Sequence, residues 1–218
     1  MVDVTKRPRA HFEDPIQLLP WALTELFTLW LRLTYPFASI GRRLSVHHTC
    51  LLSRTKAPQI KLGSSVVIKK DTWLNVMREA VGEPKIIIDD NCWIGARTMM
   101  SAKNCIHLER DVTVESSVLI MDHSHGYEDI NRPCRDQFPP PGGRIRIGQG
   151  CRIGHGAAIV CPRGELLLGP NCIVVPNSLV TASAPPYSVI SGNPARVIEK
   201  LEPVEAVHDT SAEALASR

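Results

Sequence analysis

Two of the eight histidines sit two positions apart in the run Asp122-His123-Ser124-His125-Gly126-Tyr127-Glu128-Asp129. With a free pKa of about 6.5, imidazole can take and return a proton at neutral pH. Such a pair therefore suits general-base activation of a poor nucleophile such as an alcohol. Asp122 either orients an imidazole, binds the substrate or serves as a turn residue. Asn104 either faces the substrate or stacks inside the fold. The seven cysteines include no CxxC pair, and four recur in one setting, at Asn91-Cys92, Asn104-Cys105, Gly150-Cys151 and Asn171-Cys172. That pattern argues against a zinc cluster or dithiol redox site. It reads as small buried apolar residues in a reducing compartment.

The elements that must position the histidines are legible as a repeat. Aliphatic residues recur every six positions in five sets of three: Leu62, Ile68, Leu74; Ile88, Ile94, Met100; Leu108, Val114, Ile120; Ile147, Ile153, Ile159; and Leu168, Val174, Val180. Small or β-branched residues follow four places later, as at Val66, Thr72, Cys92, Thr98, Val112, Val118, Cys151, Ala157, Cys172 and Ser178. Glycine follows the anchor at 63, 95, 148, 154 and 169, where it is expected to ease the turn. A period of six fits neither a helix nor plain strand alternation. It fits short strands joined by regular corners, three to a coil, with the coils stacked on one another.

Interruptions divide the chain. Residues 1–55 precede the repeat as a helical segment, 56–200 carry it, and 201–218 form a polar tail. Met77 to Pro84 is a short insertion. Residues 121–143 make a long one that begins at the histidine pair, and a loop of that length on a rigid scaffold is usually functional or disordered. The repeat ends in Ser191-Gly192-Asn193-Pro194-Ala195-Arg196.

Composition narrows the class. A net charge of +3 with scattered basic residues gives no nucleic-acid signature. Aromatic residues make up only 5%, so aliphatic and small side chains must fill the interior. Lys6, Arg7 and Arg9 precede an apolar run, but Glu13 and Asp14 interrupt it and no cleavage site follows, unlike a signal peptide. Residues 16–40 are apolar but broken by Glu25, Arg32, Pro20 and Pro36. They fall short of the roughly 20 apolar residues of a spanning helix. Either they lie on a membrane surface, or Trp21, Phe27, Trp30 and Leu31 pack as a cap on the repeat.

On these residues the stretch 60–200 resembles the hexapeptide-repeat acyltransferases. The resemblance implies an all-β solenoid, a left-handed parallel β-helix of about five coils with an N-terminal helical segment. The left hand comes from the resemblance, because parallel crossovers are otherwise right-handed. The run from Asp122 to Asp129 is similar to the branch of O-acetyltransferases acting on surface-polysaccharide, lipopolysaccharide and colanic-acid-type precursors. That similarity implies transfer from acetyl-CoA to a sugar hydroxyl, with His125 as base and His123 as the alternative. Gly126 stands where relatives often carry proline. Asp122 and Asn104 are candidates for the acceptor side. Coenzyme A is expected along the later coils, near Arg152, His155, Pro176 and Thr181, with Arg196 at its phosphates. Ala182 stands where relatives often place lysine, so part of the phosphate contact must come from elsewhere or be absent. The resemblance further implies a homotrimer, a saccharide acceptor, no metal and a cytoplasmic location, with residues 16–40 a candidate contact with the inner membrane face. The alternatives are an acetyltransferase for a small soluble acceptor (serine, a maltose-like sugar or an antibiotic), a γ-class carbonic anhydrase-like protein, and a non-catalytic scaffold. The γ-class enzymes use histidines five apart, a spacing that His123 and His125 lack.

Overall fold

The computed structural model describes residues 15–77, 82–137 and 141–202. The outer parts of the N-terminal segment and of the tail, including Lys6, Arg7 and Arg9, lie outside the described residues.

Each apolar anchor sits on a short strand, and three strands make one coil. The second coil, for example, is Ile60–Leu62, Val67–Ile68 and Trp73–Val76. Equivalent strands of successive coils pair in parallel, giving three sheets that run the length of the molecule and match a left-handed β-helix. The register places identical repeat positions on top of one another: Leu62, Ile88, Leu108, Ile147 and Leu168 form one column. These columns are fully buried, as are the small residues beside them, including Val66, Thr72, Cys92, Val112 and Cys172. Burial pushes the Cys50 thiol up to about 11 and Cys92 up to about 12, as expected of cysteines that act as small core residues.

Among the described residues there are six coils, one more than the five sets of anchors read from the sequence. The first is Ser39–Ile40, Ser45–Val46 and Leu51–Leu52, within the segment expected to precede the repeat. Its anchors Ile40, Val46 and Leu52 keep the six-residue period. Its apolar residues adjoin those of the preceding helix, and a 3₁₀ turn at Arg54–Gln59 separates it from the second coil. The solenoid thus begins at about residue 39 rather than 56.

The glycines after the anchors serve close approach rather than turning. A Cβ on Gly95 would lie 2.4 Å from the Glu115 carbonyl carbon of the next coil, and one on Gly154 would lie 2.6 Å from the nitrogen of Pro176. The left-handed backbone instead falls two residues later, at Ser65, Asp71, Asn91, Arg97, Asp111, Ser117, Asn171 and Asn177, with Gly150 and Gly156 in the same place. Short polar residues that tolerate this region dominate the set. Gly95→Ala is expected to destabilise the fold by about 1–3 kcal/mol through backbone overpacking. A denaturant midpoint equal to that of the unaltered chain would contradict the close-approach reading.

Both ends of the solenoid are closed. A helix, α1 (Pro15–Thr34), lies over the first coil. Thr28 accepts a hydrogen bond from the Val46 N–H at 2.9 Å and donates to the Val46 carbonyl at 3.2 Å, satisfying an edge strand. Leu31 is fully buried in the core, and Phe27 and Tyr35 pack against it. α1 is therefore a cap. Its outer face nevertheless exposes Ile16, Leu19, Leu23, Leu26, Leu29, Trp30 and Leu33. No helix among the described residues is long and apolar enough to cross a membrane. At the far end, Ser188–Gly192 joins the second sheet and Ala195–Lys200 folds back antiparallel on it.

Candidate active site

The third strand of the fourth coil, Leu119–Met121, leads directly into Asp122 and the long loop. Ordinary coil geometry therefore delivers the histidine pair to a solenoid corner. Asp122 is fully buried. One carboxylate oxygen accepts the Lys103 N–H at 2.7 Å, and the other accepts those of Asn104 and Cys105 at 2.7 and 2.8 Å. Its main-chain oxygen accepts the Gly143 N–H at 2.6 Å, closing the neck of the loop. The Asn104 amide reaches across the same neck to the Pro141 carbonyl at 3.1 Å.

Around this knot the two histidines part company. His123 is buried, its Nδ1 3.0 Å from the Asp122 carboxylate. His125 is exposed and lines a cleft of about 780 Å³ together with Tyr127, Glu128, Arg132, Val160, Arg163 and Thr181. A base must reach the proton it abstracts, and His125 is the member of the pair with access. The Asp122 carboxylate, fully buried, is occupied by three backbone donors and the His123 imidazole. Asn104 is exposed beside the cleft's rim, where its side chain ties the loop down.

The five residues expected near coenzyme A fall in two places. Arg152, His155 and Pro176 lie on the second sheet and its following corner in the last two coils, where the Asn177 N–H donates to the His155 carbonyl. Arg196 lies on the closing antiparallel strand opposite Ser191, and so joins that end. Thr181 is separate from these and belongs to the His125 cleft. Arg152 is ion-paired with Glu115, whose carboxylate also accepts the His155 N–H at 2.8 Å. That guanidinium holds the Glu115 carboxyl below the usual carboxylate range. Much of Arg152's charge is therefore already neutralised, which leaves Arg196 the less committed cation.

Sequence reasoning missed the pair Arg163–Glu128, which fastens the loop to the sixth coil across the cleft. It also missed Gln137, which accepts the Asp129 N–H and donates to the carbonyls of Asp129 and Arg132. Neither leaves a signal in spacing, because both contacts depend on how the loop folds back. Among the described residues no three of His, Cys, Asp and Glu converge to hold a metal.

No protein-family model matches the chain. Curated relatives do, and two of them are acetyltransferases by name. A putative lipopolysaccharide biosynthesis O-acetyl transferase of Escherichia coli, WbbJ, is 28% identical over 128 residues, covering 56% of this chain and 64% of that one. A probable acetyltransferase of Mycobacterium tuberculosis is 29% identical over 113 residues, covering 48% of this chain and 36% of that one. The chain thus spans less than two thirds of the length of either. Among solved structures, AntD, an N-acyltransferase from Bacillus cereus in complex with dTDP and 3-hydroxybutyryl-CoA, superposes with a TM-score of 0.66 at 16% identity, over 87% of this chain and 95% of that one. The acetyltransferase domain of PglB from Neisseria gonorrhoeae, in complex with acetyl coenzyme A, gives 0.51 at 15% identity, over 71% and 57%. At such identities the structures speak to the fold alone, and the fold they share is the solenoid described above. The resemblance read from the repeat holds in these relatives.

Proposed function

We propose that the protein transfers an acetyl group from acetyl-CoA to a sugar hydroxyl, on a saccharide precursor handled at a membrane surface. The observation that carries this reading is the placement of His125, accessible in a cleft at the mouth of a loop whose neck is locked by Asp122. The lipopolysaccharide O-acetyl transferase relative supports the reaction class. His125 takes the hydroxyl proton as the oxygen attacks the thioester carbonyl. Collapse of the tetrahedral intermediate expels the coenzyme A thiolate, which receives the proton from the imidazolium. His123, fixed through Nδ1, steadies the backbone that presents His125. Arg196 and the corner at His155 and Pro176 would hold coenzyme A. A second acceptor class, an amino sugar on a nucleotide, is favoured by the similarity in fold to AntD, which was crystallised with dTDP-4-amino-4,6-dideoxyglucose in another complex. Screening purified protein for coenzyme A release from acetyl-CoA against sugar, amino-sugar and lipid-linked acceptors tests the reading. Release with hydroxyl acceptors supports it; release only with amines would replace it, and none with any acceptor would end it.

The same reading includes a homotrimer with active sites between subunits. Its support is the outer face of the third sheet, where Leu51, Trp73, Met99, Leu119, Ala158 and Leu179 stack in register through all six coils. An apolar ladder of that length needs cover. The first sheet carries Lys61, His107 and Arg146 outward instead, in pairs with Asp89 and Glu109. Light scattering is expected to give three chains, and Trp73→Arg with Met99→Arg to give one. A trimer unaffected by both substitutions would place the interface elsewhere.

A further inference from the structure

A second cleft, of about 470 Å³, lies between α1 and the second sheet. Small-molecule sites commonly enclose about 300–1,000 Å³. The solenoid-facing side of the helix supplies one wall through Trp21. The first three coils supply the other through His47, Lys69, Lys70 and Trp93. The cleft shares no residue with the His125 cleft, and Arg152, His155, Pro176 and Arg196 are not part of it.

Two lysines line this cleft and no carboxylate does. Neither lysine side chain makes an ion pair or hydrogen bond among the described residues. The Lys69 ammonium lies 4.5 Å from the Trp93 ring centroid, so an aromatic face positions the charge at the wall. The Thr49 N–H donates to His47 Nδ1 at 3.3 Å, which places the proton of the neutral ring on Nε2. Burial lowers the His47 pKa, so at pH 7 the ring is neutral and can still donate. On the facing wall, Trp21 is partly exposed and offers an indole on which a nucleobase can stack. Lysine meets phosphate as a point charge. A phosphate alone needs no aromatic wall, and a base alone needs no ammonium. A nucleotide uses both.

We propose that this cleft binds a nucleoside diphosphate, free or as the head of a nucleotide-linked sugar. The diphosphate meets Lys69 and Lys70, and the base stacks on Trp21. Ser45 and Ser116 line the same cleft and offer hydroxyls to the ribose. The ligand thereby bridges the cap helix and the solenoid, so binding also stabilises the fold. The site goes beyond the acetyl-transfer reading and does not depend on it.

The test is calorimetric titration of the full chain with UDP, ADP and UDP-glucose, without acetyl-CoA, so that the outcome is independent of acetyl transfer. Saturable binding of at least one of the three is expected. Pyrophosphate and the parent nucleoside should each bind about tenfold or more weaker, since each carries half of the recognised chemistry. Lys69→Gln with Lys70→Gln should weaken nucleotide binding about tenfold or more, and Trp21→Ala about fivefold or more. Both lysines are exposed, so circular dichroism should report an unchanged fold. The bound nucleotide should raise the Tm of the unaltered chain and leave that of the lysine variant where it was. Tighter binding of UDP-glucose than of UDP would identify a nucleotide-linked sugar, and the reverse a free nucleotide; either supports the site. No binding of any of the three, or binding unaltered by the lysine substitutions, would overturn it. Pyrophosphate binding as tight as that of the nucleotide would reduce the cleft to a plain anion site. Equally tight, lysine-dependent binding of coenzyme A would assign the cleft to the nucleotide of that co-substrate. Either of these last two results would also overturn the proposal.

Discussion

His125→Ala is expected to lower kcat for acetyl transfer by about 10²–10⁴, the contribution typical of a positioned general base. Acetyl-CoA binding and the oligomer should be unchanged, because the side chain is exposed in the cleft. Such a loss, equal in kcat and kcat/KM, marks an interaction made only in the transition state. His123→Ala should cost less activity and more stability, since that ring is buried against Asp122. Steady-state kinetics with a sugar acceptor, beside a binding measurement for acetyl-CoA, separates the two. The reverse ranking would move the base to His123 without changing the reaction. Near-normal rates in both single variants and the double variant would end the histidine-base mechanism.

Asp122→Ala is expected to be the most destabilising single change at the site. The carboxylate satisfies three backbone N–H groups and an imidazole in a place with no access to water. Removing it orphans all of them, and breaking a buried charged network by deleting one partner costs about 3–5 kcal/mol. In a chain of this size that corresponds to a fall in Tm on the order of 10 °C. Asp122→Asn keeps the shape and one acceptor oxygen but turns an amide N–H₂ toward a donor, so an intermediate loss is expected. Activity should fall with stability, because the loop neck closes through the same residue. A melting temperature within a degree or two of the unaltered chain would show that the knot contributes little.

The sequence by itself determined the solenoid. Every coil repeats the same local demand, an apolar anchor every six residues and a small residue four places on, so the pattern is written many times over and survives local exceptions. The five sets read from the sequence are all buried in the core as expected. It also located the loop and the histidine pair, because the interruption of a regular period is itself conspicuous. The first coil escaped notice although Ile40, Val46 and Leu52 keep the period, because adjacent apolar helix residues blurred its beginning. The glycines were found but misread. Their need is for close backbone approach between coils, which depends on stacking and leaves no mark distinguishable from a turn.

What only the tertiary structure decided were contacts between residues distant in sequence. Asp122 could orient an imidazole, bind the acceptor or serve as a turn residue, and only the folded loop neck, the previous coil and His123 close around its carboxylate. The resemblance ranked His125 ahead of His123 as base, and the fold adds that His123 is buried against Asp122 while His125 is exposed. The Arg152–Glu115 pair joins residues 37 apart and changes how much charge Arg152 can offer a phosphate. For α1, composition allowed a cap or a membrane helix as rivals. Packing shows a cap on one face and leaves the other apolar face open, since a cylinder can bury one side against the solenoid and still present the opposite side outward.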